Sequence, residues 1–155
     1  ELGFFSPEDN ANTGRYVGIW YYNSSPRTVV WIANRDAPLL HVSGYFAIVE
    51  DGNLKLLDGK GASYFHTNLG SSSAVNRTLK LLDSGNLALI DGKSGNYLWQ
   101  SVAEPTDTLL PGMRIDGSLT LVSWRDTGNP AAGNFTFQQD QESRLPKIMY
   151  GLRVG

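Results

Sequence analysis

The chain carries one segment twice. Residues Asp51 to Asn68, DGNLKLLDGKGASYFHTN, align with Ser84 to Ser101, SGNLALIDGKSGNYLWQS, at an offset of 33. Gly52/Gly85, Asn53/Asn86, Leu54/Leu87, Leu56/Leu89, Asp58/Asp91, Gly59/Gly92, Lys60/Lys93 and Tyr64/Tyr97 are identical, eight matches in 18 positions. Average composition supplies about one such match. The economical source is a duplicated strand-turn-strand unit, so any fold of this chain must hold at least two copies of it.

The rest of the sequence agrees with a β architecture. Short apolar, β-branched and aromatic segments recur at Arg15 to Tyr22, Thr28 to Ala33, Tyr45 to Val49, Leu54 to Leu57, Leu79 to Leu82, Leu87 to Ile90 and Asn96 to Trp99. Turn clusters such as NSSP, EDGN, DGKG, DSGN and DGKSGN separate them, and no segment has helical period. The pattern predicts an all-β sandwich, barrel or prism. PTDTLLPGMRIDGS, from Pro105, is turn-rich, after which SLTLVSWRD and GNFTFQQD resume the strand pattern. This reads as the end of one domain and the start of a second, unfinished at Gly155.

An aromatic closes each unit: Trp31, Trp99, and Phe65 or His66 in the first repeat. Phe65 is the counterpart of Trp99 if the DGKSGN loop is one residue longer than DGKGA. Recurrence once per unit predicts a stack shared by three sheets, with a sugar-stacking platform as the alternative. Strand alternation groups Val49, Asp51, Asn53, Lys55 and Leu57 on one face and Leu54 and Leu56 on the other. A carboxylate and an amide on one exposed face suit adjacent sugar hydroxyls. Asp-Gly-Asn entering a strand is also ordinary hairpin chemistry, and spacing alone favours the turn over the site.

Other chemistry is excluded by what the sequence contains. Thirteen Lys and Arg against 15 Asp and Glu give a net charge of −2, without the basic footprint that nucleic acid or an anionic membrane requires. No apolar run approaches the ~20 residues that cross a bilayer, so the segment is expected to be soluble. It begins at Glu1 without Met or signal peptide, as a fragment or processed chain would. Cysteine is absent, which removes zinc-finger, thiol and disulfide readings. Gly92-Lys93-Ser94 resembles the end of a phosphate loop, but Leu87 stands where that loop needs glycine and a strand comes next. His41 and His66 have no carboxylate at metal-ligand spacing and read as surface or edge residues. GSSSA at Gly70 lacks the second glycine of a nucleophile elbow. The acidic pairs Glu8-Asp9 and Glu50-Asp51 sit in turns. No catalytic constellation, metal or cofactor is expected. Three sequons, at Asn23, Asn76 and Asn134, are glycan acceptors if the chain enters the secretory pathway.

Six stretches, in order, carry a family resemblance: ELGFFSP, RYVGIWYYNSSPRTVVWIANRDAP, EDGNLKLLDGKG, LLDSGNLALID, YLWQS and PTDTLLPGM. Together they resemble the bulb-type lectin domain of plant G-type lectin S-receptor-like serine/threonine kinases and S-locus glycoproteins. The resemblance runs from residue 1 to residue 125 almost without gaps, and GNFTF, with the residues after it, looks like the start of the family's next extracellular segment. It implies a lectin domain over residues 1–116 and an incomplete second β segment over 117–155. It also implies a β-prism of three four-stranded sheets about a pseudo-threefold axis, with a tryptophan from each unit near the axis; the recurring aromatics of this chain, Trp31, Phe65 and Trp99, are the candidates for that core. The third unit would draw on ELGFF and on residues before Glu1.

In mannose-binding members of this fold the pocket motif is QxDxNxVxY. The first repeat matches at Asp51 and Asn53, with Val49, Lys55 and Leu57 at the Gln, Val and Tyr positions. The second keeps Asn86, with Leu81, Ala88 and Ile90 at those positions and Asp83 out of phase unless Ser84-Gly85 bulges. A single-sugar site near millimolar is worth about 4 kcal/mol, and each lost hydrogen bond removes about 1 kcal/mol. Weak or absent mannose binding is therefore expected at the first pocket and less at the second. The resemblance implies an extracellular recognition module, secreted or on a plasma-membrane ectodomain, tethered only through a segment outside this chain. Its ligand would be a glycan or, in a degenerate module, a protein, a peptide or a second copy in a homodimer. ATP-dependent phosphorylation would belong to a separate kinase domain. A secreted defence lectin without a kinase is the third reading.

Overall fold

A computed structural model describes residues 1–7, 14–70 and 76–151. The acidic pair Glu8-Asp9 and the serines of GSSSA lie outside the described residues. Among the described residues, twelve strands form four antiparallel three-stranded sheets, each a simple meander. The first contains β1 (Leu2–Phe5), β2 (Tyr16–Trp20) and β3 (Val29–Ile32). The second contains β4 (Tyr45–Ile48), β5 (Leu54–Leu57) and β6 (Ser63–His66). In the third are β7 (Arg77–Leu81), β8 (Leu87–Asp91) and β9 (Tyr97–Gln100), and in the fourth β10 (Thr120–Asp126), β11 (Asn129–Gln139) and β12 (Pro146–Tyr150). A 3-10 turn spans Ser101–Ala103.

The first three sheets share one register. Ile19 pairs with Leu2 and Trp31, Leu56 with Phe46 and Phe65, and Leu89 with Leu79 and Trp99. A bulge comes at the same place in each, after Ile19, Leu56 and Leu89. Phe65, not His66, is thus the counterpart of Trp99. Hairpin chemistry fixes the register from the loop side: Asp58 accepts from the N–H of Lys60 and of Ala62, and Asp91 from those of Lys93 and Ser94. The Gly92-Lys93-Ser94 run is therefore a hairpin turn.

Alternation along β5 buries Leu54 and Leu56 and leaves Lys55 and Leu57 half-buried, as a one-sided strand requires. The buried faces converge on Ile19, Trp31, Leu54, Leu87, Leu89 and Trp99. At the centre Trp31, Phe65 and Trp99 meet with ring centroids 5.7 to 5.9 Å apart, all three pairs edge-on. Edge-on contact aims a ring's positive rim at its neighbour's negative face, an arrangement each of three rings can adopt at once.

The four-stranded sheets expected from the resemblance have three strands each among the described residues. The connectors satisfy their backbones by other means. After β3, the Asn34 side chain bonds Val17 N, Arg15 O and Ala37 O. Pro38 then removes a donor, and pairing shrinks to one bridge between Arg15 and Leu39. ELGFF supplies β1, as expected.

The fourth sheet is fastened to the first. The Arg35 guanidinium donates to the carbonyls of Val122, Ser123 and Pro130, each at 2.9 Å, and Asp36 accepts from Ala132 N at 2.9 Å. Trp124 packs against the cluster of Phe5, Tyr16 and Ile32.

The ring triangle yields a graded prediction. Trp31 Nε1 donates to the carbonyl of Glu104 at 3.0 Å, whereas Trp99 Nε1 is buried without a partner. Trp31→Phe loses a hydrogen bond, whereas Trp99→Phe removes an orphan donor. Trp31→Phe is expected to cost about 1 kcal/mol more than Trp99→Phe in urea denaturation; equal costs would contradict the assignment.

Candidate functional site

The site is built on the outer face of the second sheet. Val49, Glu50 and Asp51 form a turn closed by Gly52 N to Val49 O at 2.8 Å. Gly52 has φ 80°, a left-handed value that favours glycine. Asp51 Oδ1 accepts from Asn53 N at 2.9 Å, an Asx turn feeding the chain into β5. The other carboxylate oxygen accepts from Lys55 Nζ at 2.6 Å. Both side chains remain partly open to solvent, at 26% for Lys55 and 35% for Asp51.

Around this pair lies a shallow, open groove of about 590 Å³, lined by Tyr45, Val49, Glu50, Asp51, Lys55, Leu57, Gly61 and Ser63. Tyr45 stands directly across the β4–β5 ladder from Leu57 and is 48% exposed. The groove thus combines an apolar floor of Val49 and Leu57, an aromatic wall, and a donor-acceptor pair on one side. Tyr45, Glu50 and Ser63 do not stand out as site residues in the sequence. Cross-strand pairing is what brings Tyr45 in, and the position opposite Leu57 identifies it once register is known.

Asn53 is not part of this groove. It is buried at 5%, its Oδ1 accepting from Leu69 N at 2.7 Å and Thr67 Oγ1 at 3.1 Å, while Nδ2 donates to Leu69 O. Thr67 Oγ1 in turn accepts from Leu54 N at 3.2 Å. The sequence expectation of an outward amide is corrected for a physical reason: Asn53 precedes β5, where a loop crossing beneath the turn leaves buried backbone groups that need partners.

The second repeat reproduces the scaffold without the groove's charges. Asn86 is buried, donates to Gln100 Oε1 and accepts from Ser101 Oγ and Val102 N. Ser101 Oγ accepts from Leu87 N as Thr67 does from Leu54 N. Ser84, accepting from Asn86 N at 3.4 Å, stands in the place of Asp51; Asp83 is an exposed turn residue, not its counterpart. Buried Ala88 occupies the position of Lys55. The predicted Asp83 and Asn86 are therefore not brought into a common pocket.

The remaining predicted residues lie elsewhere. Asn23 and Asn76 are exposed, with φ 54° and 73°, and Asn134 is half-buried within β11. His41 is exposed, and His66, also exposed, lies across from Lys55 on edge strand β6. Among the described residues no group of three His, Asp or Glu side chains is placed to hold a metal ion. A slightly larger cleft, about 610 Å³, lies between the first and fourth sheets beside Trp20, Tyr21, Arg27 and Trp124. Three of its residues are engaged with each other: Trp20 Nε1 donates to Glu1 at 2.7 Å and Arg27 lies over the Trp20 ring.

Lys55 and the Asn53 N–H hold the Asp51 carboxyl at about 2, below its ordinary 3.8. A lowered carboxylate favours the fold above its unfolded value, and that contribution is lost as pH falls through the folded one. Lys55 is therefore expected to stay tethered at pH 4 to 5 and to be released only near about pH 2, read as the Asp51 carboxyl titration by NMR. Asn53→Ala is expected to destabilise the fold by ~2 kcal/mol by orphaning buried groups, measured by urea denaturation. A variant that keeps wild-type stability would contradict the structural role of that amide.

The family described as D-mannose binding lectin matches residues 28–125. A G-type lectin S-receptor-like serine/threonine-protein kinase of Arabidopsis thaliana is 54% identical, over 97% of this chain and 18% of its own length. Another kinase so named from that plant is 40% identical over 96% of this chain and 18% of its own. An S-locus-specific glycoprotein of Brassica oleracea is 38% identical over 96% of this chain and 35% of its own. The chain thus spans about a fifth of the length of these kinases and about a third of that of the glycoprotein.

Proposed function

This chain belongs to the D-mannose binding lectin family, and from that premise we propose that it is an extracellular carbohydrate-recognition module of a plant receptor-like serine/threonine kinase. The observation that carries the reading is the groove of the second sheet, where Tyr45 and Leu57 flank the Asp51–Lys55 pair. A pyranose has an apolar C–H face and a hydroxyl rim. The first suits Tyr45 and Leu57, and the second suits an ammonium with two unengaged N–H donors beside a carboxylate with unused lone pairs.

The mannose pocket proper is degenerate in this reading. Asn53 is engaged inside the fold, and Val49 and Leu57 supply no hydrogen bond where the motif has Gln and Tyr. The three sheets with one register and the central ring triangle support a β-prism with a pseudo-threefold axis. Residues 1–116 then form the lectin unit and 117–155 open the next extracellular segment. Phosphorylation with ATP falls to a kinase domain outside this chain, and the module lies on the outer side of the plasma membrane, carrying glycans at its sequons.

A second reading, recognition of a protein partner or another copy, is favoured by the exposed face of the fourth sheet. There Phe135, Ile148 and Tyr150 are 54%, 71% and 63% exposed. A glycan array probed with the glycosylated protein separates the two. Sugar binding that falls about tenfold in Lys55→Met, with the fold intact by circular dichroism, supports the lectin reading. An empty array with an intact fold would overturn it in favour of the protein partner.

A further inference from the structure

We infer that the second-sheet groove takes an internal stretch of a linear oligosaccharide laid along β5, with Tyr45 as its stacking residue, and not a single terminal sugar. The inference rests on the lectin reading and specifies its ligand class.

The groove's shape is the first ground. It runs from the turn at Val49–Asp51 at one end of β5 to the hairpin at Gly61 and Ser63 at the other, and it is open and shallow. At about 3.3 Å per strand residue this is roughly 15 Å, the length of about three linked pyranose rings. Among the described residues, none closes either end into the enclosed pocket that a terminal sugar would need.

The distribution of contacts is the second. A single-sugar site gathers several hydrogen bonds at one point. Here the Asn53 amide is engaged with Leu69 and Thr67, and each Asp51 oxygen already accepts one bond, from Asn53 N or from Lys55. The available polar groups are spread out: Glu50 at one end, Lys55 in the middle, and the Ser63 hydroxyl at the other, which donates to Phe65 O but can still accept. Spread contacts give a weak grip on one ring and a useful sum along several.

Tyr45 is the third. The tyrosine absent from position 57 of the strand motif is supplied from the adjacent strand, directly opposite Leu57. A ring arriving across the ladder lies beside Leu57 on the groove surface, which suits stacking on a sugar's C–H face. In the third sheet the corresponding pair is Thr78 and Ile90, without a ring, and buried Ala88 takes the place of Lys55. The extended site is thus confined to one of the repeats.

The test is a length series of one to six units, in linear mannan, galacturonan and N-acetylglucosamine oligomers, titrated calorimetrically into the glycosylated protein. In whichever series binds, affinity should rise at least tenfold from one unit to three and then level off. Tyr45→Ala should lower trimer affinity about tenfold while Tyr45→Phe stays near wild type. Unchanged urea midpoints confirm that both variants fold. A monosaccharide bound as tightly as its trimer, or a Tyr45→Ala protein that binds normally, would overturn the extended site and leave the lectin reading standing. No binding in any series, with intact folding, would overturn both.

Discussion

Three aromatic rings from three sheets meet edge to face, and the rest of the molecule is arranged around that contact. Trp31, Phe65 and Trp99 each occupy the residue opposite a buried aliphatic side chain, Ile19, Leu56 or Leu89. The rings touch only if all three sheets turn the same face and the same register inward. Around them Leu54, Leu87 and Leu89 are sealed completely. Register slip by one residue in any sheet would send its ring to solvent and open the centre to the other two.

That inward requirement leaves the outer faces free to differ. The two closest repeats keep their buried asparagine, Asn53 or Asn86, and the hydroxyl beneath it, Thr67 or Ser101, because both tie down strand and loop from inside. Outside, one repeat carries Asp51 and Lys55 where the other has Ser84 and Ala88. The first sheet departs further: its aromatic residues Phe5, Tyr16 and Trp20 gather with Trp124 of the fourth sheet, and Arg35 fastens the joint. One scaffold thus serves three surfaces, a groove, a plain face and a junction.

The repeat, seven of the nine strands of the first three sheets, and Trp31 and Trp99 of the ring triangle were legible in the residues themselves, because a duplicated hydrophobic pattern reports directly on register. β1 came only through the family resemblance, β6 was not among the segments read, and the choice between Phe65 and His66 waited on the ladder. Nor was the sheet strand count legible. It depended on connectors whose backbone groups are met by side chains such as Asn34 instead of by further pairing. Asn53 shows the limit of alternation as a guide: it stands before β5 begins, and the partners that claim its amide, Thr67 and Leu69, lie 14 and 16 residues away. Tyr45 was hidden for the opposite reason, since its relation to Leu57 exists only across a ladder. Local pattern specified the inward faces well and the site poorly, because the site is assembled from neighbouring strands.

The central claim is that recognition is confined to the groove of one sheet. Amide chemical-shift mapping with the tightest-binding oligosaccharide tests it most directly. Shifts are expected at Tyr45, Asp51, Lys55, Leu57 and Ser63, with Thr78, Ser84, Ala88 and Ile90 unmoved. Equal shifts over both repeats, or shifts gathered instead at Trp20, Arg27 and Trp124, would contradict it.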